Sequence, residues 1–121
     1  MNRECLEEGM LCYMPELWPD YQSYMKTRTL EEPTVHEIFG AVVGPFMKAR
    51  LWQADQSDVI ERLFDFFEDM AASPDRTMQD VLCYGLLESL SEEDWLAAHA
   101  HMGEATRRLG KQVEEFWRQM T

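Results

Sequence analysis

Positive charge is scarce in this chain. Eleven lysines and arginines stand against 23 aspartates and glutamates, a net charge of −12. Such a field disfavours nucleic acid and anionic membrane as direct partners and favours a basic protein surface. Long apolar runs are missing as well. Nothing approaches the roughly 18 consecutive apolar residues of a membrane span, and no membrane role is expected. The first eight residues, Met1 to Glu8, are acidic and hold no apolar stretch, so no secretory signal is expected. Cysteine is limited to Cys5, Cys12 and Cys83, an odd count at irregular spacing and no disulfide framework. Cys5 and Cys12 share a helix face but stand about 10 Å apart along it, too far to bridge. Three reduced, mostly buried thiols in a cytoplasmic protein are the expectation.

The marks of strands and of common catalytic sites are also absent. No segment alternates apolar and polar residues for long, and neither Asn-Gly nor Asp-Gly occurs. There is no G-x-S-x-G, no phosphate-binding P-loop and no G-x-G-x-x-G. Gly40 and Gly44 lie in an apolar context that reads as a packing strip for a neighbouring helix. The pairs Glu68-Asp69 and Glu92-Glu93 flank apolar stripes or open a helix, which suits solvated residues or dipole partners better than a catalytic pair. Of the three histidines, His99 and His101 point about 200° apart on a helix, poor geometry for one metal, and His36 is remote in sequence. No enzyme activity, cofactor or metal is expected.

What is present is helical patterning. With 121 residues, 45% hydrophobic and 12% aromatic, the chain can bury one real core and does not have the composition of a disordered protein. A helix capped by Asn2 is expected over 2–13. A second, opened by Pro15 with Pro19 in a following turn, carries Leu17, Trp18, Tyr21 and Tyr24 and ends near Arg28. Thr34-Val35-His36-Glu37 forms a capping box for a helix running to Leu51, kinked at Pro45. The cluster Asp55 to Asp58 caps the most amphipathic helix: Val59, Ile60, Leu63, Phe64, Phe66, Phe67 and Met70 on one side, acids on the other. A helix from Thr77, apolar nearly all round, is expected to be central. Ser91 caps the next, which stops near Gly103, and a last helix over 105–120 is interrupted by Gly110. Six or seven short helices with short loops imply antiparallel neighbours. The expected fold is all-α, one domain over 1–121, either a bundle or an irregular armadillo-like or HEAT-like stack, although no sequence period marks a repeat.

The negative charge is concentrated. Residues 1–54 carry a net −3 and residues 95–121 a net +1, whereas residues 55–94 carry 12 acids against Arg62 and Arg76, a net −10. The candidate partner-binding surface is therefore Asp58, Glu61, Asp65, Glu68 and Asp69, extended by Asp75, Asp80, Glu88, Glu92, Glu93 and Asp94. Trp18 and Trp52, with loop-like flanks, are the candidate aromatic anchors. The basic group Arg107, Arg108 and Lys111 is too small for a nucleic-acid footprint; it serves the C-terminal helix or pairs with the acids at 58–69.

Several blocks carry a resemblance. They are Pro15-Glu16-Leu17 with Pro33-Thr34-Val35-His36-Glu37-Ile38-Phe39-Gly40, Leu63 to Met70 followed by Val81 to Leu90, Met102-Gly103-Glu104-Ala105-Thr106-Arg107, and Phe116-Trp117. Together the chain resembles small bacterial all-helical proteins, some of them similar to immunity proteins of polymorphic toxin systems. That resemblance implies a toxin-neutralising binder without any catalytic residue; the acidic field adds that the toxin domain is basic, and a monomer or small homo-oligomer is expected. Two other readings suit the same charge and size. One is a phage-encoded acidic nucleic-acid mimic that blocks a nucleic-acid-binding defence complex. The other is a helical adaptor or scaffold that binds through an apolar groove.

Overall fold

The computed structural model describes residues 3–27, 32–87 and 90–120, with side chains for 4–119 among them. The expected Asn2 cap, the helix end at Arg28, the acid Glu88 and the Met120 side chain lie outside the described residues. The elements in order are α1 (Arg3–Tyr13), a 3-10 turn (Pro15–Leu17), α2 (Trp18–Thr27), α3 (Val35–Ile38), a π-helical turn (Phe39–Val43), α4 (Gly44–Leu51), a 3-10 turn (Ala54–Gln56), α5 (Ser57–Ala72), α6 (Arg76–Gly85), α7 (Glu92–His99) and α8 (Glu104–Met120). No strand occurs among the described residues. Since α3, the π turn and α4 follow without a break, the described residues form seven helical units, within the expected six or seven.

The helix starts show how side chains replace missing backbone partners. Thr34 accepts from the Glu37 amide at 3.2 Å, and Ser91 from the Asp94 amide at 3.1 Å. Asp75, not the segment at Thr77, caps α6 by accepting from the Thr77 amide at 2.9 Å. The expected cap cluster before α5 is corrected too: a 3-10 turn leads in, and Gln56 at the N-cap makes no side-chain cap bond. Pro15 opens its turn at the first position, where no amide donor is required.

Pro45 is accommodated by the π turn. The Gly44 amide bonds to the Phe39 carbonyl, five residues back, and α4 then begins with the proline in its first turn. A proline that would break a continuous α-helix thus falls where its missing N–H costs little. The expected kink takes this form.

α5 is the hub. It packs against α1, α4, α6 and α8, while α3 meets α6 and α4 meets α7. Elements far apart in chain order touch, as in a bundle; a solenoid would restrict contacts to neighbouring repeats. Ile60, Leu63, Phe64, Phe67 and Met70 of α5 are buried together with Leu6 and Met10 of α1, Phe39 and Met47, Leu82, and Leu109 and Val113 of α8. The expectation that α6 is buried all round is corrected. Its C-terminal half supplies Val81, Leu82 and Cys83 to the core, but Tyr84 is 58% exposed and its first turn faces water. Cys5 and Cys12 are exposed and only Cys83 is buried, so the thiols are not mostly inside.

Three glycines act through what they let approach. The strip expected at Gly40 and Gly44 does receive a helix, the end of α6, with Gly85 making the closest passage. A Cβ on Gly85 would stand 3.2 Å from the Phe39 Cβ and 3.5 Å from the His36 carbonyl oxygen. Gly85→Val is therefore expected to cost about 1–3 kcal/mol through overpacking, read as a lower melting midpoint; an unchanged midpoint would show this contact to be loose. Gly110 does not interrupt α8, which is continuous; it makes room for Trp95, whose ring a Cβ there would meet at 3.2 Å. Gly103 is no left-handed helix cap, since no glycine among the described residues has positive φ. It lies where the Glu68 carboxylate reaches the start of α8.

Candidate acidic interface

The acids of α5 follow from its period. Positions 58, 61, 65 and 69 recur at helical spacing opposite the apolar stripe. Asp58, Glu61, Asp65 and Asp69 are all exposed. Asp58 is the most open of the described ion-pair partners on this helix, 86% exposed at its side chain and 3.7 Å from Arg62. That pairing is weak at such exposure.

Arg62 is engaged elsewhere. It forks onto the Glu16 carboxylate, Nη1 to Oε1 at 3.1 Å with Nη2 on Oε2, and Nη1 also donates to the Tyr13 carbonyl at 3.2 Å. This knot ties the turn after α1 to α5. The hydrogen bond to Arg62 holds the Glu16 carboxyl below the usual range, against the opposing effect of burial. The Tyr13 hydroxyl donates to Asp69. That bond, with burial and the Asp69 charge, raises the phenol above its ordinary value. Asp69 is thus partly committed to the fold, whereas among the described residues no hydrogen bond or ion pair engages Glu61 or Asp65.

Glu68 must be withdrawn from the candidate surface. It sits on the flank of α5 that faces α8, and its carboxylate accepts from the Ala105 amide (3.1 Å), the Thr106 amide (2.8 Å) and the Thr106 hydroxyl (2.8 Å). Thr106 is fully buried. Burial pushes the Glu68 carboxyl up, but the amides of Thr106 and Ala105 and the Thr106 hydroxyl outweigh it and hold it below the usual range. A carboxylate aimed at free helix amides satisfies them and complements the helix dipole.

The remaining acids divide by place. Glu92, Glu93 and Asp94 fill the first turn of α7. Asp94 accepts from Trp52 Nε1 at 3.1 Å. Trp52, 63% exposed, follows α4 and lines a hollow with Ser57 and Ile60 of α5, Ala97 and His101. Trp52, Asp94 and the N-terminal half of α5 are therefore neighbours. Asp75 and Asp80 belong to the other end of α5, whose 16 residues span about 24 Å. Asp75 is spent on its cap, which holds its carboxyl below the usual range, and Asp80 lies 3.8 Å from Arg76. The single acidic face expected from sequence is thus two regions. Trp18 is also corrected: it is partly buried and stacks on Tyr21 with centroids 5.3 Å apart.

The basic cluster stays on its own side. Arg108 pairs with Glu104 at 3.3 Å, and Arg107 donates to the His99 carbonyl at 3.3 Å. Arg108 reaches Glu68 only through its field. The Arg62 knot was not recognised from sequence, although a base nearly alone among twelve acids was the available signal. Among the described residues no three His, Cys, Asp or Glu side chains group as a metal site, and no helix is long and apolar enough to cross a membrane.

Residues 10–118 match the model of a domain family of unknown function, DUF7674, and the chain belongs to that family. No curated protein matches the chain. No solved structure matches it either.

Proposed function

We propose that this member of the DUF7674 family is a non-catalytic acidic binding protein of the cytoplasm that docks on a basic protein surface, acting as an immunity-type inhibitor of a toxin domain. The observation that supports it most directly is the row of exposed carboxylates Asp58, Glu61 and Asp65, beside the exposed indole of Trp52 and the start of α7. Glu61 and Asp65 serve no described contact of the fold, so their charge is available to a partner. Opposite fields accelerate encounter and fix orientation, and an exposed tryptophan supplies apolar area at the centre of such a contact.

Affinity capture from the host lysate, eluted with a salt gradient, identifies the partner. A single basic protein released at high salt is expected, because screening weakens exposed charge pairs. The decisive step is kinetic. Asp58→Lys, Glu61→Lys and Asp65→Lys combined should leave helicity and unfolding midpoint nearly unchanged and slow association about ten- to hundredfold at low salt. Association at the original rate would refute docking through α5. Salt-insensitive capture would favour an adaptor with an apolar groove, and competition by DNA or RNA would favour the nucleic-acid mimic.

A further inference from the structure

A second concavity, with no residue of α5 in its lining, lies between the start of α7 and the C-terminal half of α8. It encloses about 390 Å³ and is lined by Leu90, Glu92, Trp95, Glu114 and Trp117. The two indoles meet with centroids 5.2 Å apart and planes at 69°, forming a corner in which Trp95 keeps only 6% of its surface exposed and the half-buried Trp117 supplies most of the open ring. Trp95 Nε1 donates to Glu114 Oε1 at 2.8 Å, which fixes one carboxylate against the aromatic wall. Gly110 packs on the other side of Trp95, where an added Cβ would stand a tight 3.2 Å from the ring. Glu92 adds a second, exposed carboxylate. Among the described residues no lysine or arginine lines the hollow.

Aromatic faces attract cations through the ring quadrupole, tryptophan most strongly, and cages of such rings are suited to alkylammonium groups. Carboxylates at the rim add charge attraction and choose a cation over a neutral group of equal size. We propose that the Trp95–Trp117 corner, with Glu92 and Glu114, is a binding site for an alkylammonium group. A lysine side chain of a protein and a free quaternary amine share that chemistry. Only the first source rests on the basic-partner reading; the site itself does not.

The test is titration of the intact protein with N-acetyl-lysine amide, its trimethylated form, tetramethylammonium and a neutral tert-butyl alcohol, following the indole N–H signals of Trp95 and Trp117 by NMR. The cations should shift both signals at millimolar concentration, and the neutral compound should bind at least about tenfold more weakly. Trp117→Leu should abolish the shift of Trp95, and Glu92→Gln should weaken cation binding several-fold without changing the circular dichroism spectrum. Tighter binding of either lysine derivative than of tetramethylammonium supports the site with a protein side chain as its ligand; the reverse order supports it with a free amine. Equal binding of the neutral alcohol, absence of any shift, or unchanged binding by both variants would overturn the proposal. Reversing Asp58, Glu61 and Asp65 should leave cation binding intact, which separates the failure of this site from failure of the α5 interface.

Discussion

Phe67→Ala is expected to lower the unfolding free energy by about 3–5 kcal/mol, a large part of the roughly 5–15 kcal/mol typical of a domain. Phe67 has no exposed surface. Its ring stands 5.1 Å from Phe64 at 72°, 6.4 Å from Phe39 at 44° and 6.3 Å from Phe66. It therefore joins the hub helix to the π turn that carries Phe39, and its removal leaves a void between two elements distant in the chain. The surrounding helices are held by their own contacts and will collapse only in part, so the lost transfer energy and the cavity both count. Urea unfolding should show the midpoint displaced with the slope nearly unchanged. A loss below about 1 kcal/mol would mean that the site collapses freely or that the core is centred elsewhere. The Lys substitutions at Asp58, Glu61 and Asp65 should show the opposite profile, because those side chains are exposed and make at most weak contacts.

Phe67 was legible in the sequence because α5 is periodic over four turns. Its burial follows from the spacing of Ile60, Leu63, Phe64, Phe67 and Met70 alone. The boundaries at Thr34 and Ser91 were legible for a related reason: a capping side chain and the amide it serves lie within three residues. Pro45 gave the position of an irregularity but not its form. A kink and a π turn both free the proline from its helical bond, and the choice depends on how Phe39 and Gly44 pack against α6. α6 does pack against α3, α5, α8 and the π turn, but its expected all-round burial failed because composition around a short helix says which residues are apolar, not which sides the neighbours cover. Tyr84, with an apolar ring and a polar tip, counted toward a buried face and lies outside.

The candidate interface was less legible. Counting charge locates the acidic stretch at 55–94 but treats every carboxylate as equal. The fold spends some of them. Asp75 closes a helix start, Asp69 receives the Tyr13 hydroxyl, and Asp94 holds the Trp52 indole. Local rules suggest the first of these, since a cap lies beside its helix. The second joins residues 56 positions apart and the third residues 42 apart, and nothing in the spacing of one helix reports which side chain will arrive from another. The aromatic corner at Trp95 and Trp117 escaped notice for the same reason.

Glu68→Ala is the sharpest test of that distinction, with an expected loss of about 2–4 kcal/mol. A charge-assisted hydrogen bond contributes about 1.5–3 kcal/mol, and buried donors left unpaired cost more than the bond alone. Glu68 serves the Ala105 and Thr106 amides and the fully buried Thr106 hydroxyl together. The negative charge at the start of α8 adds a smaller dipole contribution, about 0.3–1 kcal/mol. Glu68→Gln keeps an acceptor but loses the charge, so it should fall between alanine and the original residue. The pH dependence supplies a second signature. The folded carboxyl titrates below its unfolded value. Folding is therefore favoured by Glu68 above the unfolded glutamate pKa, about 4.3, and this contribution is lost as pH falls through the lower, folded value. Thermal unfolding between pH 7 and acid should show a shallower decline for Glu68→Gln than for the original chain. Parallel pH curves, with alanine costing less than about 1 kcal/mol, would return Glu68 to the exposed acids of α5 and to the candidate interface.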